Sequence, residues 1–202
     1  MDHYFTIESQ SQAEFKERGS RFIAFAFPVS HPDEFKKKLK EIKKEHAKAT
    51  HHCFAYRIGV DGENFRVSDD GEPAGTAGKP ILGQLGFKSL TNSAVIVVRY
   101  FGGTLLGIPG LINAYKTVAA YCLQLTPVVR KDVVITHSLA FDYTKMNEVM
   151  AIVKKSNCTV LHQDMKLFCK LKIGLPKTNY IKILQDFNEI AGLEINTVEN
   201  IL

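Results

Sequence analysis

Glycine is distributed unevenly along this chain of 202 residues. Of the 14 glycines, 11 lie between Gly59 and Gly110, and Gly174 and Gly192 are the only two that follow. Glycine adopts positive φ far more easily than other residues, so this half of the chain needs tight turns or close backbone approaches. The asymmetry predicts two domains with different roles. We place the boundary after a long helical stretch, which gives domains at 1–127 and 128–202.

Charge and composition exclude several classes of protein. The formal net charge of +5 is small and is shared by both predicted domains, so it does not by itself indicate a nucleic-acid partner. No apolar stretch approaches the roughly 18 residues of a membrane-spanning helix. The opening residues show no secretory leader, and four cysteines in a chain of this length do not indicate a disulfide framework. We expect a cytoplasmic protein with no membrane contact and no cofactor.

The first predicted domain alternates strands with helices. Periodicity and turn residues predict helices at 30–48, from about 80, and at 109–125, and strands at 3–8, 13–18, 21–29, 51–59, 63–68 and 93–100. This order is typical of an α/β or α+β sandwich with helices on one face of the sheet. Two interpretations are open for the lysines opposite the apolar stripe of the first helix: a solvated face or a face that contacts phosphate. These lysines are Lys36, Lys37, Lys40, Lys43 and Lys44.

The second predicted domain has the order βαββαβ, which is the ferredoxin-like pattern. Its strands are predicted at 131–141, 158–163, 166–174 and 193–198, with helices from Asp142 and around 178–191. In the second helix we expect Ile181, Leu184 and Phe187 to face inward. This half contains no carboxylate pair, metal-ligand cluster or glycine-rich loop, so we expect no catalytic role for it.

Two glycine-rich segments lead into helices that have proline near their first position. Gly75 and Gly78 precede Pro80, and a second group of glycines precedes Pro109. The N–H groups at such a helix start can hold a phosphate or a carboxylate, although the glycines can equally serve tight turns. Neither a P-loop nor a dinucleotide-binding spacing is present, since Pro80 follows Lys79 where a P-loop requires Ser or Thr.

Other residue types with catalytic potential lie close by. Asp69, Asp70 and Glu72 could hold magnesium, or they could simply form a turn beside Gly71. On a strand, His51 and His52 point to opposite faces, so they cannot easily share one metal ion. Cys53 is either a nucleophile or, more simply, a small buried hydrophobe.

Strand alternation also places two arginines. Arg57 shares a face with Cys53, and Arg99 shares a face with Val97. If helices cover only one side of the sheet, both arginines could lie on the open side. A basic surface with Tyr56 or Tyr100 at its edge would suit RNA or a protein partner.

Three sequence motifs together resemble the IMPACT family, whose bacterial members are YigZ-type proteins. They are T-H-H-C-F-A-Y-R at 50–57, D-D-G-E-P-A-G-T-A-G-K-P at 69–80, and R-Y-F-G-G at 99–103 with L-G at 106–107 and G-L at 110–111. The resemblance implies an α+β protein of two domains. The first would be an α/β two-layer sandwich with a left-handed crossover, similar to the second domain of a small-subunit ribosomal protein. The second would be ferredoxin-like and similar to the last domain of elongation factor G.

The resemblance also implies a link to translation. Eukaryotic members add an N-terminal RWD domain and restrain a starvation-activated kinase, and nothing in this sequence corresponds to that RWD domain. For bacterial members it implies a nucleic-acid or translation-linked role. The sequence departs from the family pattern at Leu105, where many members have Lys, at Pro109, where they have Gly, and at Asn113, where they have Arg.

We therefore expect a non-enzymatic protein that binds RNA, the ribosome or a translation factor, with the second domain as a second contact or a homodimer surface. The alternative is a magnesium-dependent nucleotide- or phosphate-binding protein or enzyme that uses the glycine-rich loops. The candidate ligand-binding residues are His51, His52, Arg57, Asp69, Asp70, Glu72, Thr76, Lys79, Arg99, Tyr100, Gly102 and Gly103.

Overall fold

The computed structural model describes residues 1–198, and residues 199–202 of the predicted second domain lie outside this range. The chain divides into two compact units. The first unit is Tyr4–Lys131, and the second consists of Asp132 onward together with Met1–His3. The predicted boundary between 127 and 128 falls slightly before this division. Both units mix helices with antiparallel sheets, which confirms the predicted α+β class.

The first unit is built on a five-stranded sheet with the order β2-β3-β6-β4-β5, in which every neighbouring pair is antiparallel. A separate two-stranded sheet pairs β1 with β7. The central strand, β6, is buried along almost its whole length, as its continuous apolar sequence predicts. The strands are β1 (His3–Ile7), β2 (Ser11–Glu17), β3 (Ser20–Pro28), β4 (His51–Ile58), β5 (Asn64–Ser68), β6 (Ser93–Tyr100) and β7 (Val128–Asp132).

One helix covers the first face of this sheet. Helix α1 (Pro32–Glu45) begins with proline in its first turn, after His31, whose side chain accepts a hydrogen bond from the Asp33 N–H. Its buried residues Phe35 and Ile42 pack with Phe25, Phe54 and Ile96 of the sheet. These contacts form one of the two cores of the unit.

The other face is covered by α2 (Gly78–Phe87) and α3 (Gly107–Gln124). Their buried residues, including Ile81, Leu111 and Val118, pack with Cys53 and Val97 of the sheet. The expectation of helices on one face is therefore wrong. The central strands are apolar on both sides, so both faces must be removed from water.

The connection β3–α1–β4 joins two strands that lie on either side of β6 and are both antiparallel to it. This crossover passes through α1, and its left-handedness stays a prediction. The two hairpins need only short turns. Arg18 and Gly19 both have positive φ between β2 and β3, which is typical of a tight two-residue hairpin turn.

The second unit has the predicted ferredoxin-like order, with a four-stranded antiparallel sheet arranged β11-β8-β10-β9. Val149 and Phe187 of its helices pack with Leu139 and Leu171 of the sheet. The prediction that Ile181 faces inward is wrong, because Ile181 is 71% exposed and Ile183 lies in the core instead. A 3-10 turn at Lys177–Asn179 sets the phase of this helix. The elements are β8 (Val134–Asp142), α4 (Met146–Lys155), β9 (Thr159–Asp164), β10 (Phe168–Pro176), α5 (Tyr180–Asn188) and β11 (Glu194–Thr197).

None of the helices within residues 1–198 is long and apolar enough to cross a membrane. All four cysteines are free thiols, so neither unit is held together by a disulfide. The two hydrophobic cores of the first unit and the single core of the second therefore stabilise the fold.

Candidate functional site

A buried ion pair joins two of the three sequence motifs. The Glu72 side chain is 3% exposed and that of Arg99 is 5% exposed, and Arg99 Nη1 lies 2.6 Å from Glu72 Oε1. The Tyr115 hydroxyl donates to the same carboxylate oxygen at 2.7 Å. His51 Nε2 lies 3.9 Å from it, at the outer side. We call these residues, together with Cys53, the Glu72 cluster.

The Cys53 thiol belongs to this cluster but is poorly suited to be a nucleophile. Its Sγ lies 3.0 Å from the Asp69 carbonyl oxygen and 3.3 Å from the Tyr115 hydroxyl. Burial raises the pKa of the Cys53 thiol far above its ordinary value, and the neighbouring carboxylate of Glu72 raises it further. Because the reactive form of cysteine is the thiolate, this environment favours the buried-hydrophobe interpretation over the nucleophile.

The first predicted anion site is filled by the protein itself. The Asp69 carboxylate accepts hydrogen bonds from the backbone N–H groups of Gly75 at 2.8 Å, Ala77 at 3.0 Å and Gly78 at 2.8 Å. Burial alone would raise the pKa of Asp69, but these N–H donors outweigh it and hold the pKa below its ordinary value. The start of α2 therefore binds an anion, as its sequence suggests, and that anion is an internal carboxylate.

Asp70 has a comparable internal role. Its carboxylate accepts from the His52 backbone N–H at 2.7 Å and from Lys43 of α1 at 3.2 Å. Its carbonyl oxygen accepts from His51 Nδ1 at 2.8 Å, and its own backbone has positive φ. Thr76 closes the same loop through a 2.7 Å hydrogen bond to the Pro73 carbonyl.

The acidic triplet consequently points at separate donors within the chain rather than at one shared ion. Asp69 binds backbone N–H groups, Asp70 binds α1 and β4, and Glu72 binds Arg99. Across residues 1–198 no group of three or more His, Cys, Asp or Glu side chains is arranged to hold a metal ion.

His52 and Tyr100 lie on the opposite face of the sheet, against α1. Burial lowers the pKa of His52, and the positive charge of Lys43 lowers it further. The Tyr100 hydroxyl lies 2.9 Å from His46 Nδ1 at the end of α1. These two predicted site residues therefore do not join the Glu72 cluster.

Gly102 and Gly103 have different structural roles. A Cβ placed on Gly102 would lie 1.9 Å from the backbone carbon of Gly19, so only glycine permits this approach between the loop and the β2–β3 turn. The Gly102 N–H also donates to Ser20 Oγ, which Arg99 Nη2 contacts as well, both at 3.2 Å. Gly103 has positive φ and open space around its Cβ position.

The predicted common surface of Arg57 and Arg99 is wrong. In the β4–β6 ladder His51 pairs with Arg99 and Arg57 pairs with Ser93, so the arginines lie at opposite ends of β4, roughly 20 Å apart. Arg99 is 4% exposed, because α2 and α3 cover the face that we expected to be open. Phe22 and Phe101 flank its guanidinium at 5.3 and 5.5 Å.

Arg57 instead shares a groove with Lys79. The groove has a volume of about 730 Å³ and lies between β5 and α2. Arg57 and Phe65 come from paired positions of β4 and β5, and Leu82, Gly83 and Gly86 come from α2. We call it the β5–α2 groove. Two of the predicted site residues, Arg57 and Lys79, are brought together here.

A separate basic surface lies on α1. Successive residues of a helix are rotated by roughly 100°, and on this basis five exposed lysines of α1 fall within an arc of roughly 120°. Asp33 is the one acidic residue of the helix in that arc. Asp33 is neutralised by Lys36 at 2.8 Å, and the remaining acids of the helix lie on the opposite flank. We call this surface the α1 lysine flank: Lys36, Lys37, Lys40, Lys43 and Lys44.

Comparison with known proteins identifies the group to which this fold and these motifs belong. Residues 18–123 match the Impact N-terminal domain, which is more than half of the chain. The chain is 32% identical to the IMPACT family member YigZ of Escherichia coli (strain K12) over 185 residues, covering 89% of this chain and 90% of YigZ. The chain belongs to the IMPACT family.

Other members agree with this assignment. The IMPACT family member YvyE of Bacillus subtilis (strain 168) is 40% identical over 154 residues, covering 76% of this chain and 70% of YvyE. A crystal structure described as a hypothetical protein is 29% identical, with a TM-score of 0.75, and covers 99% of both chains. The order of helices and strands in the described residues is therefore shared with a solved structure.

The IMPACT-family motifs also use residues that the sequence interpretation missed. Tyr115 had a usable signal, because it shares the buried stripe of α3 with Leu111 and Val118, and a buried phenol needs a hydrogen-bond partner. Lys43 belongs to the predicted lysine face, but its ion pair with Asp70 depends on tertiary packing that the sequence does not show. Ser20 had no local signal, since its partners Arg99 and Gly102 are distant in sequence.

Proposed function

We propose that this IMPACT-family protein is a non-catalytic, translation-associated protein that binds RNA through the α1 lysine flank. The observation that carries this proposal is the segregation of charge on α1, where five of the six lysines occupy one flank, and Glu34, Glu41 and Glu45 occupy the other together with Lys38. Phosphate contacts made by lysine supply sequence-independent affinity for RNA. The resemblance of the first domain to a domain of a small-subunit ribosomal protein favours RNA as the class of target.

The lysines of this flank are available for phosphate. Lys36 is engaged by Asp33 and Lys43 by Asp70, but Lys37, Lys40 and Lys44 have no carboxylate within ion-pair distance in the described part of the chain. The Lys43–Asp70 contact joins the flank to the loop of the second motif.

The magnesium-dependent alternative gains no support from this geometry. Each carboxylate of the acidic triplet is already satisfied by donors of the chain, and Cys53 is held as a thiol. The second unit supplies a second contact or a homodimer surface.

Ribosome co-sedimentation and fluorescence anisotropy with labelled RNA test this proposal across a range of salt concentrations. The triple variant Lys37→Gln, Lys40→Gln and Lys44→Gln should bind RNA more weakly. The log–log slope of its affinity against salt should become shallower by about 0.7–0.9 for each phosphate that the variant no longer neutralises. Far-UV circular dichroism should be unchanged, because all three side chains are exposed.

The matched control removes the same charge from other elements of the first unit, through Lys16→Gln, Lys88→Gln and Lys116→Gln. It should retain most of the RNA affinity and the original salt slope. Equal losses in the two triple variants would assign binding to net charge alone and would contradict a site on α1.

A further inference from the structure

The β5–α2 groove contains an unpaired strand edge. Strand β5 (Asn64–Ser68) is the last strand of the sheet and pairs with β4 on one side. On its other side no strand of the described chain is hydrogen-bonded to it. Such an edge presents alternate N–H and C=O groups that can pair with a further strand. The helix α2 forms the opposite wall of the groove.

Two glycines leave the α2 wall of the groove without side chains at their positions. Gly83 and Gly86 are exposed positions within α2, and a Cβ added to either would meet nothing within 4 Å. Gly78 of the same helix differs, because its Cβ would lie 2.9 Å from the Ser68 backbone nitrogen. Glycine weakens a helix interior relative to alanine, and packing within the chain does not require it at 83 or 86. The helix backbone is thus open to close approach from the groove.

The residues that line the groove also carry a net positive charge. Arg57 is held in place by donating to the carbonyls of Gly62 at 3.1 Å and Leu90 at 3.4 Å, both neutral acceptors. Among the described residues, no carboxylate lies within ion-pair distance of Arg57 or Lys79. Glu63 lines the groove at the β4–β5 turn, so the lining contains two cations and one anion. This balance is complementary to an acidic ligand.

Apolar surface completes the lining. Phe65 is 56% exposed on the edge strand, and Leu82 faces it from α2. A strand added to β5 would direct every second side chain into the groove, about 7 Å apart. Successive inward positions could then meet the apolar pair and the cations in turn.

We propose that the β5–α2 groove binds an extended, acidic segment of a partner protein as an added strand of the sheet. Backbone pairing with β5 supplies the attachment. One inward residue of the partner is apolar and packs on Phe65 and Leu82, and another is Asp or Glu and pairs with Lys79 and Arg57. This interaction is separate from RNA binding by α1, because the groove and α1 lie on opposite faces of the sheet.

Selection from a phage-displayed library of random twelve-residue peptides on the full chain tests the proposal. The counter-target is the full chain carrying Gly83→Leu, because a Cβ at this groove-lining position meets nothing within 4 Å and the leucine side chain would occupy groove space. We expect enriched peptides in which acidic and apolar residues alternate with a period of two. Failure to enrich any peptide above the Gly83→Leu chain would overturn the proposal.

The enriched peptide is then synthesised with a fluorescent label for binding measurements. Its affinity should fall at least tenfold for Gly83→Leu and for Lys79→Glu, and should be retained in the controls Gln84→Leu and Lys116→Glu. Leucine favours the helix more than glycine does, so the Gly83→Leu chain should melt no earlier than the parent. Equal affinity for the parent and Gly83→Leu chains would place the peptide elsewhere.

Hydrogen exchange distinguishes strand addition from other modes of binding. The peptide should slow exchange at outward-facing amides of Asn64–Ser68. The triple lysine variant of α1 should bind the peptide with the affinity of the parent. Peptide binding and RNA binding are therefore tested separately, and failure of one leaves the other unaffected. Displacement of the peptide by a single-stranded RNA oligonucleotide, from the parent chain and equally from the triple lysine variant of α1, would assign the groove to nucleic acid and overturn the proposal.

Discussion

The Glu72 cluster and the β5–α2 groove lie on the same face of one sheet, and both are built from motif residues, yet they differ in how charge is treated. At one end of β4, Arg99 is buried and paired with Glu72. At the other end, Arg57 lines an open groove with Lys79 and has neutral carbonyl partners. The charges of the first region are paired within the chain, whereas the cations of the second region have no ion-pair partner among the described residues.

This difference separates two roles that sequence motifs do not distinguish. An arginine on a strand can hold a loop in place or contact a partner, and the covering helices decide which. Both α2 and α3 bury the Arg99 end, whereas the two exposed glycines of α2 leave the Arg57 end uncovered. Removal of a charge at the closed end should therefore lower stability, whereas removal of a charge at the open end should weaken binding and leave stability nearly unchanged.

The largest effect is expected from Arg99→Ala. Removal of one partner of a buried ion pair leaves the Glu72 charge without compensation, which should lower the free energy of unfolding by about 3–5 kcal/mol. Urea unfolding followed by far-UV circular dichroism would measure this. Arg66→Ala, on the exposed edge strand β5, is the matched control and should change stability by less than about 0.5 kcal/mol. A loss below about 1 kcal/mol at Arg99 would show that the pair does not stabilise the closed end.

A smaller effect is expected from Asp69→Asn, which replaces a carboxylate oxygen that accepts a hydrogen bond at the start of α2. The loss should be about 1–2 kcal/mol at neutral pH, comparable to that of a helix cap. The folded pKa of Asp69 lies below the ordinary 3.8, so its contribution is present above that value and is lost as the pH falls through the lowered pKa.

The stability gap between the parent and Asp69→Asn should therefore be constant from about pH 7 to pH 5 and should narrow below about pH 4. Thermal melts across this pH range would measure it. A gap that stays constant down to the lowest pH at which the chain folds would mean that the ionised carboxylate is not what binds these N–H groups.

The smallest effect, and one of opposite sign, is expected from Gly83→Ala at the open end. The added methyl group meets nothing, so the helix should gain about 0.8–1.0 kcal/mol. Gly78→Ala is the paired comparison and should destabilise, since its Cβ approaches the Ser68 backbone. Chemical denaturation of both variants checks the contrast, which would fail if both changed stability in the same direction.

Local sequence signals predict most strands and helices of the fold. Alternation and turn residues predict the bounds of β6 and the strands on either side of Gly19 and Gly62, because these depend on neighbours in the chain. The apolar sequence of β6 on both sides already indicates that both faces of the sheet are buried, whereas which helix covers which face depends on contacts between residues distant in sequence.

The site was harder to predict for the same reason. His51 and His52 lie on opposite faces of the sheet, as strand alternation predicts. The start of α2 binds an anion, as predicted, but that anion is the Asp69 carboxylate of the same chain. That outcome depends on a loop folding back onto the helix, which no spacing encodes. Arg57 lies near Lys79 rather than near Arg99, and this cannot be predicted without the register of β4 against β6 and the position of α2.

The position of β6 in the sheet has a consequence for synthesis of the chain. Both β2–β3 and β4–β5 are made before β6, which pairs with β3 on one side and β4 on the other. Until Ser93–Tyr100 leaves the ribosome, the inner edges of two apolar hairpins stay unpaired, and Glu72 awaits the arginine that neutralises it. The sheet of the first unit can therefore be completed only late in synthesis. Before that, its exposed apolar edges can bind chaperones or aggregate.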